Sequence, residues 1–188
     1  MPLRALRFIA GAIAGLLVWW YATLFYDGSL AFAAERLLQF DQRLCNAHLV
    51  AEERKVDVTP HLCVGPSAVI PADQLTYNLI LFAALFAMRF RSFGAFFACL
   101  LVVVISHVFS LALSVEATYA GHLGAWSDRH YGGFEQDVWT ALEFWWRLVG
   151  MFALVFGLWW LTLSPVYQPS RESAAPRPKR AAAKGRGR

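Results

Sequence analysis

The sequence predicts an all-α integral membrane protein with four transmembrane helices, both termini on one side (N-in/C-in), and an amphipathic helix on the opposite, periplasmic side. Three observations carry this fold class: the composition, the lengths of the uncharged apolar runs, and the placement of Lys and Arg. Of 188 residues, 58% are hydrophobic, 15% aromatic and only 16% charged. That is too apolar for a soluble domain of this size. The charges are bunched, and the runs between them compare with the ~20 residues that a helix needs to cross a bilayer core of ~30 Å.

Four runs qualify: Phe8–Tyr26, Leu75–Met88, Phe93–Val115 and Phe144–Leu163, the last containing Arg147 near its start. The second is short and is expected to recruit Ala72–Gln74 at one end, with Arg89 snorkelling at the other. The first is also open to reading as a cleaved signal peptide, because Arg4 and Arg7 precede it and Ala31-Phe32-Ala33 resembles a cleavage site. Its apolar length exceeds the roughly 7 to 15 residues of a signal core, which favours a permanent anchor.

Orientation follows from the basic residues, because short basic loops resist translocation. Arg4, Arg7, Arg89, Arg91 and the seven bases of the tail after Pro165 make eleven, against one acid, Glu172. The two remaining loops carry five bases (Arg36, Arg43, Arg54, Lys55, Arg129) and eleven acids. Both termini and the Arg89–Arg91 hinge are therefore expected in the cytoplasm of a bacterial inner membrane. The chain divides into an anchor (1–28), an outer loop (29–74), a three-helix membrane region (75–164) and a basic tail (165–188). Trp145 and Trp146 at one end of the last run, and Trp159 and Trp160 at the other, suit the two headgroup levels.

Within the outer loop, Leu30, Ala33, Leu37, Leu44 and His48 recur at helical spacing, which predicts an amphipathic helix over Ser29–Glu53. Pro60, Gly65, Pro66 and Pro71 then predict an extended, turn-rich connector over Val56–Pro71. Cys45 and Cys63 both fall in this loop, where an oxidising compartment would favour a disulfide; two free thiols are the alternative. The tail is Pro-, Ala- and Arg-rich with net charge +6 from seven bases and one acid. It is expected to be disordered and drawn to anionic lipid, and nucleic acid is not an expected partner because no aromatics interleave its charges.

Ionisable and polar groups at membrane depth are costly, which singles out Asn78, His107, Glu143 and Arg147 in the outer part of the bundle. Glu143 and Arg147 stand four apart and share a helix face. Ser106, Ser110 and Ser114 add hydroxyls at helical spacing on the third run. Two readings stay open: a polar pocket facing the periplasm, or interhelical pairs that only satisfy one another. His122, Asp128, His130, Glu135 and Asp137 read as a solvated loop rather than a metal site. No nucleophile elbow, phosphate loop or His-Glu-x-x-His motif is present, and no cofactor is implied.

The order of an N-terminal anchor, a long outer loop and three closely spaced helices entered through Leu75-Thr76-Tyr77-Asn78, with a polar outer third, resembles the small membrane proteins associated with exosortases. Exosortases are bacterial intramembrane sorting enzymes that use a Cys, an Arg and a His near the outer face. Arg147 and His107 match in kind, but Cys99 lies toward the cytoplasmic half of its run and lacks their Ala-Cys-Ser-Gly-like setting. The resemblance implies a non-catalytic companion of another membrane protein. An intramembrane enzyme using His107 and Arg147, or a lipid or small-ligand binding module, are the competing classes.

Overall fold

The computed structural model describes residues 2–39, 42–44, 47–52, 54–60, 65–90 and 92–163. Helix α1 (Pro2–Leu38) runs unbroken through the first apolar run and on through Ala31-Phe32-Ala33. Strands β1 (His48–Glu52), β2 (Lys55–Thr59) and β3 (Ala68–Pro71) follow, then a helical turn α2 (Asp73–Thr76) and helix α3 (Asn78–Met88). Helices α4 (Phe93–Gly121), α5 (Ala125–His130) and α6 (Gly133–Trp145) lead through a π-helical turn, Trp146–Gly150, into α7 (Met151–Leu163).

The protein is mostly helical. Three stretches are long and apolar enough to cross a membrane, namely Leu3–Thr23, Phe93–Gly121 and Gly133–Leu163. Asp73–Met88 is a shorter apolar helix, about 24 Å long at 1.5 Å per residue. Large apolar side chains stand exposed along all three long helices, among them Ile13, Phe25, Leu101, Ile105, Leu148 and Trp160. A soluble fold would bury that surface, whereas hydrocarbon is a suitable solvent for it.

Helices α1 and α3 are antiparallel and unusually close. Gly11 and Gly15 lie one turn apart on α1, and a Cβ added to Gly15 would stand 2.7 Å from the Ala83 Cβ. At Gly11 it would stand 2.4 Å from the Ala87 Cβ. This small-xxx-small stripe lets two backbones meet where lipid offers no hydrophobic drive for association. On the other flank Phe82, Leu85 and Phe86 pack with Cys99, Val103 and Val155 into an apolar cluster that joins α3, α4 and α7.

The outer loop corrects the sequence reading. Ser29–Glu53 is not one amphipathic helix: its first part continues α1 to Leu38, and His48–Glu52 is a strand. The buried face of α1 is Leu30, Ala31, Ala34 and Leu38, while Leu37 is exposed. Nor is Val56–Pro71 only a connector, because it supplies two strands of an antiparallel sheet in the order β1-β2-β3. The all-α expectation therefore gives way to a helical protein with one small sheet.

Alternation explains the strands. Val56 and Val58 are fully buried and Lys55 and Thr59 exposed, as a pleated, half-buried strand requires. The sheet packs on the end of α1 and on Leu111, Val115, Tyr119 and Ala120 of α4. Glu35 pins β1 to α1 by accepting from the Leu49 N–H at 3.0 Å and lying 2.9 Å from His48 Nδ1. Much of the second expected loop, from Glu116 to Asp137, is likewise helical, in the end of α4, in α5 and in α6. Cys45 and Cys63, the tail after Ser164 and Arg91 lie outside the described residues.

Candidate functional site

The polar residues singled out from the sequence gather at the sheet end of the bundle, in two clusters joined by one short segment, Gln74 to Asn78. The first surrounds His107 on α4. Its Nε2 lies 2.5 Å from Asn78 Oδ1 and its Nδ1 lies 2.7 Å from the Tyr26 hydroxyl. An amide oxygen only accepts, so the network assigns the proton to Nε2 and leaves Nδ1 to accept from Tyr26. Tyr26 also meets the imidazole edge-on, with ring centroids 5.8 Å apart. His107 and Asn78 are both fully buried, and Asn78 Nδ2 has no hydrogen-bond partner among the described residues.

The second cluster centres on Glu143. Its Oε1 accepts from Arg147 Nη1 at 3.0 Å and from the Ser114 hydroxyl at 3.2 Å. Arg147 Nη2 reaches across to Gln74 Oε1 at 2.5 Å. One residue earlier, the Trp146 indole donates to Ser110 Oγ at 2.6 Å, and Ser110 in turn donates to the Ser106 carbonyl. The π turn makes this possible by placing Trp146 over Gly150, where an added Cβ would stand only 2.4 Å from the indole. Single π turns of this kind are frequent at functional positions.

The joining segment is held by α1 as well. Thr76 is fully buried and accepts from the Trp19 indole at 3.0 Å, so α1, α3, α4 and the Trp146–Gly150 turn all bear on Gln74–Asn78. Asn78, His107, Glu143 and Arg147, singled out from the sequence, lie toward one end of the bundle. Sequence reasoning missed Tyr26, Gln74 and Thr76, whose roles depend on partners 57 to 81 positions away. The two clusters stay separate: His107 and Arg147 share no hydrogen-bond partner among the described residues. Cys99 is eight positions before His107 on α4, about 12 Å along the helix, and sits in the apolar cluster at the other end.

Asp27 is a further residue that the sequence did not single out. It lies one position after Tyr26, is 1% exposed, and neither carboxylate oxygen has a hydrogen-bond partner among the described residues. Burial raises its pKa to about 6, with the Asp73 charge adding to the shift and Arg54 opposing it. Arg54 is engaged nearby, its guanidinium 3.7 Å over the Trp20 ring.

Among the described residues no group of three or more His, Cys, Asp or Glu side chains could hold a metal ion. Three of the loop residues considered earlier have other partners: His130 stacks on Trp126 at 4.1 Å, Gln136 donates to Asp128, and Glu135 pairs with Arg43 at 3.2 Å. No protein-family model, curated protein or solved structure matches this chain.

Proposed function

We propose that this chain is a multi-pass protein of a bacterial inner membrane that serves, without catalysis of its own, as an accessory or assembly subunit of a periplasm-facing membrane system. The exosortase-like layout makes protein sorting or export the system of choice, and another membrane protein the partner. In this reading the membrane is crossed four times with both ends in the cytoplasm. Asp73–Met88 is the fourth crossing, its shortness met by local thinning of the bilayer. Arg4, Arg7 and Arg89 then lie together on the cytoplasmic side, and the sheet faces the periplasm.

One observation carries the accessory role. The two side chains that an enzyme would use are held by neighbours: His107 between Tyr26 and Asn78, and Arg147 between Glu143 and Gln74. Such pairs hold helices together in lipid, and they leave neither residue poised toward a substrate. A lipid-binding role is the second reading. It is favoured by an apolar cleft of about 400 Å³ between α1, α3 and α4, bordered by Val18, Phe82, Phe96 and Leu100.

The deciding experiment compares His107→Ala, Arg147→Ala and the Glu143→Ala/Arg147→Ala pair for membrane abundance and for partners retained in mild detergent. An accessory subunit loses abundance or partners in the single variants and recovers part of the loss in the pair. Normal abundance and assembly of all three, with loss of the cellular phenotype, would overturn the accessory role in favour of an enzyme.

A further inference from the structure

At the end of the bundle opposite the sheet, three arginines converge from two helices. Arg4 and Arg7 stand one turn apart near the start of α1, and Arg89 caps the end of α3. They border one concave cavity of about 610 Å³, completed by Leu3, Ala87, Met88 and Phe90. No carboxylate of the described residues lines it. None of the three guanidiniums makes a hydrogen bond or ion pair among the described residues. At the sheet end, by contrast, Arg43 and Arg147 are paired with carboxylates and Arg54 bonds the Trp20 carbonyl.

The close packing at Gly11 fixes this juxtaposition. Because a Cβ there would meet Ala87, the arginine one turn before it, Arg7, is held beside the end of α3. Three cations around one concavity repel one another unless an anion sits among them, and planar guanidiniums match phosphate oxygens in bidentate geometry. The apolar members of the rim are what a free anion would not need but a lipid would use.

We propose that Arg4, Arg7 and Arg89 form a site for a phosphate group, supplied by the headgroup of an anionic phospholipid whose glycerol and upper chains lie against Leu3, Met88 and Phe90. The inference needs the helices to lie in a membrane but does not depend on the accessory role. It is also distinct from attraction of lipid to the basic tail, whose residues are not among those described.

Native mass spectrometry of the full chain, released from detergent with phosphatidylglycerol or phosphatidylethanolamine present, tests it. Wild-type protein is expected to retain phosphatidylglycerol under conditions that strip phosphatidylethanolamine. Arg89→Gln and, separately, Arg7→Gln should each weaken that retention at least about five-fold, as ~1 kcal/mol per nearby base implies. A full-length variant with the seven tail bases changed to Gln should retain the lipid. Loss of retention in the tail variant, with both arginine variants unchanged, overturns the proposal, as does equal retention of the two lipids by wild type. Displacement of the lipid by millimolar inorganic phosphate would reassign the source from lipid to free phosphate and overturn the lipid assignment.

Discussion

Asn78 Oδ1 stands 2.5 Å from His107 Nε2, and both residues are fully buried although they are 29 positions apart in the chain. The contact ties the start of α3 to the middle of α4. Because α3 is the shortest of the apolar helices, this bond and its neighbours on Gln74 and Thr76 fix where it enters the bundle. Asn78→Ala should leave the imidazole N–H buried without an acceptor and lower stability by about 1–3 kcal/mol. Asn78→Leu combined with His107→Phe should cost less than the sum of its single changes, because no polar atom of the pair is then left unpaired. Thermal unfolding in detergent measures both, and additive losses would show that the bond does not couple the helices.

The Glu143–Arg147 pair is partly exposed, at 16% and 37% of side-chain area, so its direct worth is modest. Arg147 also holds Gln74, which makes Arg147→Ala the costlier single change, about 1–2 kcal/mol against about 1 for Glu143→Ala. A double-mutant cycle on melting temperature should give a coupling of about 0.5–1 kcal/mol. A coupling of zero would mean that the pair contributes nothing beyond its separate contacts.

Asp27 sets a pH dependence whose sign is opposite to that of an ordinary paired carboxylate. Its pKa is raised from 3.8 to about 6, so the folded protein binds its proton more tightly than the unfolded chain. Its contribution to stability is therefore greatest below its ordinary value and declines as pH rises through about 6. Asp27→Asn removes the buried charge and should raise the melting temperature at pH 8 by the equivalent of about 1–2 kcal/mol, with little change at pH 4. Glu35 behaves conversely. Burial works to raise its carboxyl, but the Leu49 N–H, His48 and Arg36 outweigh that and hold it below its usual value. Its contribution is present at neutral pH and is lost as pH falls through that lowered value. Identical pH profiles for Asp27→Asn and wild type would exclude a buried, unpartnered carboxylate.

The Gly11–Gly15 stripe predicts a steric failure rather than a chemical one. Gly15→Leu would force its side chain against Ala83 and Ile80, where even a Cβ stands 2.7 and 3.3 Å from the nearest atoms of those residues. The expected cost is about 1–3 kcal/mol, seen as reduced membrane abundance and a lower melting temperature. Gly157→Leu on α7 is the control, since nothing lies within 4 Å of its added Cβ. Equal tolerance of both changes would mean that α1 and α3 are not closely packed.

The long apolar helices were legible in the sequence because an uncharged apolar run is a direct statement about solvent, and Phe93–Val115 falls wholly within α4. The polar cluster was legible at the level of depth: His107 and Asn78 are conspicuous because their neighbours are apolar. Their partners were not, because Tyr26 reads as an interfacial aromatic and Gln74 as a loop residue until the fold brings them within reach. The sheet was missed for a local reason. Lys55-Val56-Asp57-Val58-Thr59 does alternate, but its hairpin turns through Arg54 at φ 69° instead of the Gly or Asn that usually announces such a turn. In the helical spacing found across Leu30 to His48, Leu44 and His48 were coincidental members, contributed by a 3-10 turn and a strand.

The disulfide expected between Cys45 and Cys63 is open to a direct test. In the β1–β2 register His48 faces Thr59, so the chain arriving from Cys45 and the chain departing toward Cys63 leave the sheet at the same end. Cys45 is three positions before His48 and Cys63 four after Thr59, and both lie outside the described residues. A bond between them would close a loop of 18 positions and stabilise the sheet by roughly 3 kcal/mol on the chain-entropy estimate. Protein isolated without reductant should yield a linked Cys45–Cys63 peptide by mass spectrometry after digestion. Cys45→Ser and Cys63→Ser should then lower the melting temperature equally, and the double variant no further, because either change removes the same bond. Quantitative alkylation of both thiols before reduction, or additive losses in the double variant, would mean that the two cysteines act separately.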